Sequence, residues 1–177
     1  VFWRNAVNKM RKFFLYTPHS QINEATRHYV NTIARAASSL GYDLLHVTSL
    51  LDIPGDSDVL VIETKSAFKL RCARPRSRFW VWMQGVYPEE ARLQFGNPLR
   101  ELLWTLFESF TLPRAQGVLM VSKSMKAHYT HKYGFNRPTF IMPCVNAVLD
   151  PESFAIPGKY ERPTFVYAGS MHKWQCL

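Results

Sequence analysis

His128 and His131, three residues apart, would share one face of a helix and could present two imidazoles to a divalent metal. No third ligand stands at a matching spacing, so a solvated helix face accounts for the pair. Cys72, Cys144 and Cys176 lie far apart with no Cys-x-x-Cys spacing, which suggests neither a disulfide framework nor a zinc cage and fits a reducing compartment. A dinucleotide site needs G-x-G-x-x-G after the first apolar run, so that the backbone can approach a pyrophosphate. The chain reads Pro18-His19-Ser20-Gln21-Ile22-Asn23 there. A P-loop and a G-x-S-x-G turn are missing as well, so nicotinamide, flavin, nucleotide hydrolysis and α/β-hydrolase chemistry have no motif behind them. No cofactor is expected. What remains is a set of polar residues that follow apolar runs: Pro18 to Asn23, Glu63 to Ser66, Gln84 to Glu90, Ser122 to Lys126, and Gly169 to Lys173.

The elements that would carry these residues are readable from the apolar spacing. Lys12 to Thr17 is an aromatic-rich run closed by Pro18 and reads as a buried strand. From Asn23 to Leu40, Ala25, Tyr29, Val30, Ile33, Ala36, Ala37 and Leu40 keep helical spacing, with Asn23 as cap and Gly41 as stop. Asp43 to Thr48 and Asp58 to Ile62 read as strands separated by the turn Pro54-Gly55-Asp56, with no helix between the third strand and the fourth at Phe79 to Met83. Val86 to Glu90 reads as a loop, Asn97-Pro98 opens a helix reaching Phe110, and Gly117 to Val121 is a fifth strand. Ser122 caps a helix from Lys123 to Tyr133, and Thr139 to Met142 is a sixth strand.

Strands that are continuous apolar runs, separated by helices, indicate an α/β fold: a Rossmann-like parallel sheet with helices on both faces. Residues 1–142 form that domain. The stretch 143–163, with four prolines and no helical periodicity, reads as a linker, and 164–177 as the first strand and loop of a second domain. The chain starts without Met and stops soon after that strand, so it reads as a fragment.

Composition narrows the class. The 177 residues are 47% hydrophobic and 14% aromatic, ample for one core and opposite to a disordered signature. No run of about 18 apolar residues occurs, so a soluble protein is expected, in the cytoplasm. The balance of 22 Lys plus Arg against 13 Asp plus Glu gives a net charge of +9, which invites phosphate-bearing ligands, anionic lipid or nucleic acid. No nucleic-acid-binding signature is present, and nucleic acid is not expected as a partner. The basic residues concentrate locally at Lys65, Lys69, Arg71, Arg74, Arg76 and Arg78, which could rest on the cytoplasmic face of an anionic membrane or form a solvated face.

The order of segments resembles the GT-B-fold glycosyltransferases that use nucleotide-activated sugars, in particular the retaining group 1 enzymes. The resemblance is carried by Phe79 to Glu90, by Ala115-x-Gly-Val-Leu-Met-Val-Ser122 with Met125, Tyr129 and Tyr133-Gly134, by Ile141-x-Pro143 with Val145-Asn146 and Phe154, and by Phe165 to Ser170 with Lys173. It implies an acceptor-side domain, the linker, and only the beginning of the donor-side domain. It further implies a metal-independent transfer of sugar from a nucleotide-diphosphate donor to a carbohydrate or lipid-linked acceptor, as in surface polysaccharide or glycoconjugate biosynthesis, with the fragment alone inactive.

The resemblance also distributes roles. His19 follows the first strand, where the family usually has glycines near the diphosphate, so it would bind by its side chain or stand in a loop without function. Gln84 stands where the family often carries a histidine facing the sugar; it can hydrogen-bond a sugar hydroxyl but cannot act as an acid or base, and the alternative is that Gln84-Gly85 simply turns the chain. Glu89 and Glu90 could orient an acceptor hydroxyl or be solvated first-turn carboxylates, and Ser122 could contact ligand or be a plain helix cap. Gly169, Ser170 and Lys173 match the place where a glycine turn and a basic side chain lie near the donor phosphates. Trp80 and Trp82 share a face of a buried strand and are read as core. The alternative function is a non-catalytic Rossmann-like binding or regulatory module.

Overall fold

A computed structural model of the chain describes residues 11–18, 22 and 24–143, together with residues 152, 157, 158, 161 and 163. Six strands form one sheet: β1 (Arg11–Tyr16), β2 (Tyr42–Val47), β3 (Asp58–Ile62), β4 (Arg78–Met83), β5 (Gly117–Met120) and β6 (Thr139–Ile141). Their order is β2-β1-β3-β4-β5-β6, and every neighbouring pair is parallel. Five helices accompany them: α1 (Glu24–Ser39), α2 (Thr64–Ala73), α3 (Tyr87–Phe95), α4 (Pro98–Thr111) and α5 (Lys123–Tyr133). The α/β fold with a Rossmann-like parallel sheet is as the sequence predicts.

The two faces of the sheet carry separate cores. Phe14, Tyr16, Val59, Val61, Phe79, Val81, Met83, Val118 and Met120 point one way, where Ala67 and Leu70 of α2, Leu112 and Tyr129 of α5 join them. Leu15, Leu60 and Trp82 point the other way, with Tyr29, Val30 and Ile33 of α1 packed on them. The alternation follows from the two-residue period of a strand. The chain moves from β1 to β2 on one side of it, and then returns past β1 to β3 on the other and continues in that direction. Because strand-to-strand crossovers keep one hand, that reversal puts α1 on the opposite face from the later helices. Trp82 is buried and Trp80 partly so, on the same face, in agreement with the core reading.

Two helices differ from the sequence reading. Residues 64–73, expected as a connection, form α2. Its buried positions are Thr64, Ser66, Ala67 and Leu70, so small and polar residues make most of its inner face, and Glu63 before it gives no side-chain cap. Both ordinary helix signals, apolar periodicity and a capping side chain, are therefore faint. The expected loop 86–90 is instead the opening of α3, which has Pro88 and the acidic pair Glu89 and Glu90 in its first turn and ends at Gly96 in the left-handed conformation. The helix from Pro98 is present, with the Asn97 side chain accepting from the Leu99 backbone N–H. Its inward contacts come from Trp104, stacked on Tyr87 at 4.9 Å, and Phe107, 5.1 Å from Phe68.

Candidate functional site

In an open parallel sheet, ligands gather outside the carboxyl ends of the strands, next to the point where the strand order reverses. Here that point lies between β1 and β3. The residues that leave the strands there are Thr17, Glu63, Gln84 and Val121-Ser122. Thr17 is buried, and its hydroxyl lies 2.6 Å from His46 Nε2 at the end of β2. His19, which follows it, lies outside the described residues, as do Gly169, Ser170 and Lys173 and the strand expected over 164–168. Of the expected linker, only 143, 152, 157, 158, 161 and 163 are described.

Glu63 opens the stretch 63–66 that the sequence reading marks after the third strand, without a role assigned to it. Its backbone has φ 68° and ψ 153°, and it is the only non-glycine residue with positive φ among the described residues. That region suits glycine, and holding another residue in it costs on the order of 1–3 kcal/mol. The chain is fixed there by the Glu63 N–H, which donates to the Trp82 carbonyl at 3.2 Å, while the Ser66 hydroxyl donates to Oε1 at 3.4 Å. The Tyr16 phenol is pushed up by burial and then by the Glu63 charge, and the same two causes lead for Tyr87. Glu63 thus acts electrostatically on two phenols, one at the end of β1 and one at the start of α3, and both stay protonated. Next to it the Thr64 side chain is fully buried, and its hydroxyl has no hydrogen-bond partner.

Gln84 is exposed at the end of β4, and the Gly85 that follows is buried. Glu90 explains the glycine. Its carboxylate sits where a Cβ at Gly85 would be, and Oε1 accepts from the Val86 N–H at 2.9 Å. Val86 is the residue before the first turn of α3, so Glu90 reaches back to cap the helix that it belongs to. Glu89 turns the other way, toward α5, where Lys132 Nζ donates to its Oε1 at 2.6 Å. His128 Nε2 lies 3.3 Å from the same oxygen, in ion-pair range but without a hydrogen bond's alignment.

A buried polar cluster supports the Gln84-Gly85 turn from beneath. Glu108 of α4 is fully buried and accepts from Tyr129 at 2.8 Å and Tyr133 at 2.5 Å. The Tyr129 hydroxyl is also 3.3 Å from the Gly85 carbonyl. Burial lifts the Glu108 carboxyl to about 7, against the lowering effect of the two tyrosine hydrogen bonds. Burial, followed by the Glu108 carboxylate, pushes both tyrosines up. One hydroxyl proton on Tyr129 therefore faces two acceptors, and Glu108 decides which one receives it. When Glu108 carries a proton it can donate to Tyr129, releasing the Tyr129 proton for the Gly85 carbonyl.

Ser122 caps α5, its hydroxyl accepting from the Met125 N–H at 3.0 Å. The β4–β5 register ends with Met83 beside Met120, so Gln84-Gly85 and Val121-Ser122 leave neighbouring strands at the carboxyl edge. The structure thus brings Gln84, Gly85 and Ser122 to one edge with Glu63, while Glu89 is engaged with α5. Among the described residues, cavities also lie away from this edge. One of about 280 Å³ is lined by Phe13, Ile33, Leu40, Tyr42 and Trp80 near the amino ends of the strands, and its Asp58 is tied to Arg78 at 2.6 Å. Among the described residues no group of three or more His, Cys, Asp or Glu is placed to hold a metal, and no helix is long and apolar enough to cross a membrane.

The sequence reading marks Glu63 only by its place after a strand, and it misses Glu108. A strained backbone has no compositional signal, so the position after an apolar strand marks Glu63 but not its conformation. Glu108 lies within a helix as one acid among apolar residues, and its position in a two-residue step from Phe110 gives no sign of burial. No family model matches the chain, and no curated protein matches it significantly.

Proposed function

We propose that this chain is the acceptor-side part of a metal-independent GT-B glycosyltransferase that moves a sugar from a nucleotide-diphosphate donor to a carbohydrate or lipid-linked acceptor. The observation that carries the reading is the carboxyl edge of the sheet, where strained Glu63 and exposed Gln84 leave adjacent strands. A carboxylate acceptor, an amide that both donates and accepts, and protonated phenols suit a ligand rich in hydroxyls. Strain held at such a place is a feature of functional positions. In the reaction, the bond from the anomeric carbon to the diphosphate oxygen breaks, and the electron pair leaves with the nucleoside diphosphate. The acceptor hydroxyl oxygen bonds to that carbon, and its proton passes to a base or to the departing phosphate.

In this reading Gln84 holds a hydroxyl of the transferred sugar, Glu63 orients the acceptor, and Ser122 borders the same crevice. Gly85 shapes the turn. His19 and the Gly169, Ser170 and Lys173 group would face the donor phosphates, with no resident cofactor, in a cytoplasmic enzyme of glycoconjugate assembly. The reading requires a donor-side domain after residue 163. Reading the coding sequence beyond the codon for Leu177 tests it: a further alternating strand and helix pattern with a Glu-x7-Glu pair supports the transferase, and an immediate stop codon removes it. Receiver-type signalling is disfavoured by residue identity, since Tyr16 and Thr17 end β1 where that chemistry needs acids.

A further inference from the structure

The outward side of α4 is apolar for its full length. Leu99, Leu102, Leu103, Leu106 and Phe110 recur at three- and four-residue steps and are all exposed, Leu99 at 72%. Leu93 and Phe95 of the preceding helix α3 are exposed too. Seven of the ten exposed large hydrophobic side chains among the described residues thus fall on this one helical hairpin, a clustering that scattered surface leucines do not produce. The inner side of α4 is already occupied by Trp104, Phe107, Glu108 and Thr111, so the leucines are surplus to the core.

The rim of this surface is cationic. The Arg100 guanidinium lies 4.0 Å over the Phe95 ring and that of Arg114 lies 4.4 Å over the Phe110 ring, one toward each end of the stripe. Neither has an acidic partner among the described residues. The acids of the hairpin are committed: Glu101 to Arg92, Glu89 to Lys132, Glu90 to the Val86 N–H, and Glu108 to the two tyrosines. On α2, which packs on α4 through Phe68, Lys65 and Lys69 are exposed one turn apart on the same face of the helix.

We infer that the α3–α4 hairpin lies on an anionic lipid surface, with the leucines in the acyl boundary and Arg100, Arg114, Lys65 and Lys69 among the headgroups. An apolar helix face with a cationic rim is what interfacial attachment requires, and the +9 net charge favours the same partner. A second copy is the poorer occupant, because a two-fold contact would set two unpaired cationic rims against each other. This placement is independent of the transferase reading, and it moves the membrane contact from the basic stretch 65–78 alone to the hairpin beside it.

The test is co-flotation of the 177-residue chain with vesicles of phosphatidylcholine alone or in equimolar mixture with phosphatidylglycerol. Binding is expected to the mixed vesicles, much less to the neutral ones, and to weaken with salt. The Leu99→Gln and Leu103→Gln double variant, at solvent-facing positions and with an unchanged circular dichroism spectrum, should lose binding roughly tenfold. Arg100→Gln and Arg114→Gln should each lose roughly fivefold on anionic vesicles only. Arg35→Gln, on α1 across the sheet, should change nothing. Absence of flotation overturns the inference, as does flotation unaffected by the leucine variants. A dimer in sedimentation that the leucine variants dissolve, without vesicle binding, would overturn it in favour of a contact between copies.

Discussion

The Glu90 carboxylate fills the space that a side chain at Gly85 would need, and from there it caps α3 through the Val86 N–H. The turn that exposes Gln84 and the first turn of α3 are therefore one device.

Gly85→Ala should expel Glu90 and uncap the helix, a loss of about 1–3 kcal/mol by combined strain and cap removal. In chemical denaturation the Gly85→Ala and Glu90→Ala double variant should lose less than the sum of the two single variants, because both remove the same contact. Strict additivity would separate them.

At Glu63 the backbone strain can be measured without reference to any ligand. Glu63→Gly should be more stable than Glu63→Ala by about 1–3 kcal/mol, since both lose the carboxylate but only glycine is relaxed at φ 68°. Equal stabilities would show that the conformation costs nothing.

Glu108 makes stability depend on pH. Its native carboxyl is lifted from 4.5 to about 7, so between those values the native state binds the extra proton. The stabilisation is complete below pH 4.5 and lost as pH rises through 7, a change of up to about 3 kcal/mol. Measured against Glu108→Gln, which keeps the shape but does not titrate, the native chain should lose relative stability across that window. A parallel pair of stability profiles would contradict the assignment.

Ser122 has a cap role that can be separated from ligand contact. Ser122→Ala should cost about 1 kcal/mol, and Ser122→Gly only a few tenths, because glycine is tolerated at a cap. A donor or acceptor contact would be lost equally in both variants, so activity following the stability order would leave the hydroxyl only its cap.

The sheet was legible because each strand is a bounded apolar run. Phe79 to Met83 and Gly117 to Val121 differ from β4 and β5 by one residue at one end. Lys123 to Tyr133, bracketed by Ser122 and Gly134, matches α5 at both ends. The 64–73 helix was not legible, since Thr64 and Ser66 occupy buried positions that pattern reading assigns to a surface. At the candidate site, Gln84 and Ser122 could be placed by their position after strands. The engagement of Glu89 with Lys132, and the burial of Glu108 under Gly85, depend on helices that meet only in the fold. The outward leucines of α4 kept helical spacing in the sequence, but spacing does not say that Trp104 and Phe107 take the inner side.

The central claim is sugar transfer at the Glu63 and Gln84 edge. The most direct measurement is release of nucleoside diphosphate from a panel of uridine, guanosine, adenosine and thymidine diphosphate sugars by the product of the whole coding region, with and without glycan acceptors. The account predicts that at least one donor is consumed, faster with an acceptor, and that Gln84→Ala slows it while leaving the melting temperature unchanged. No release from any donor by the folded full-length protein would contradict the account, as would turnover indifferent to both Gln84→Ala and Glu63→Ala.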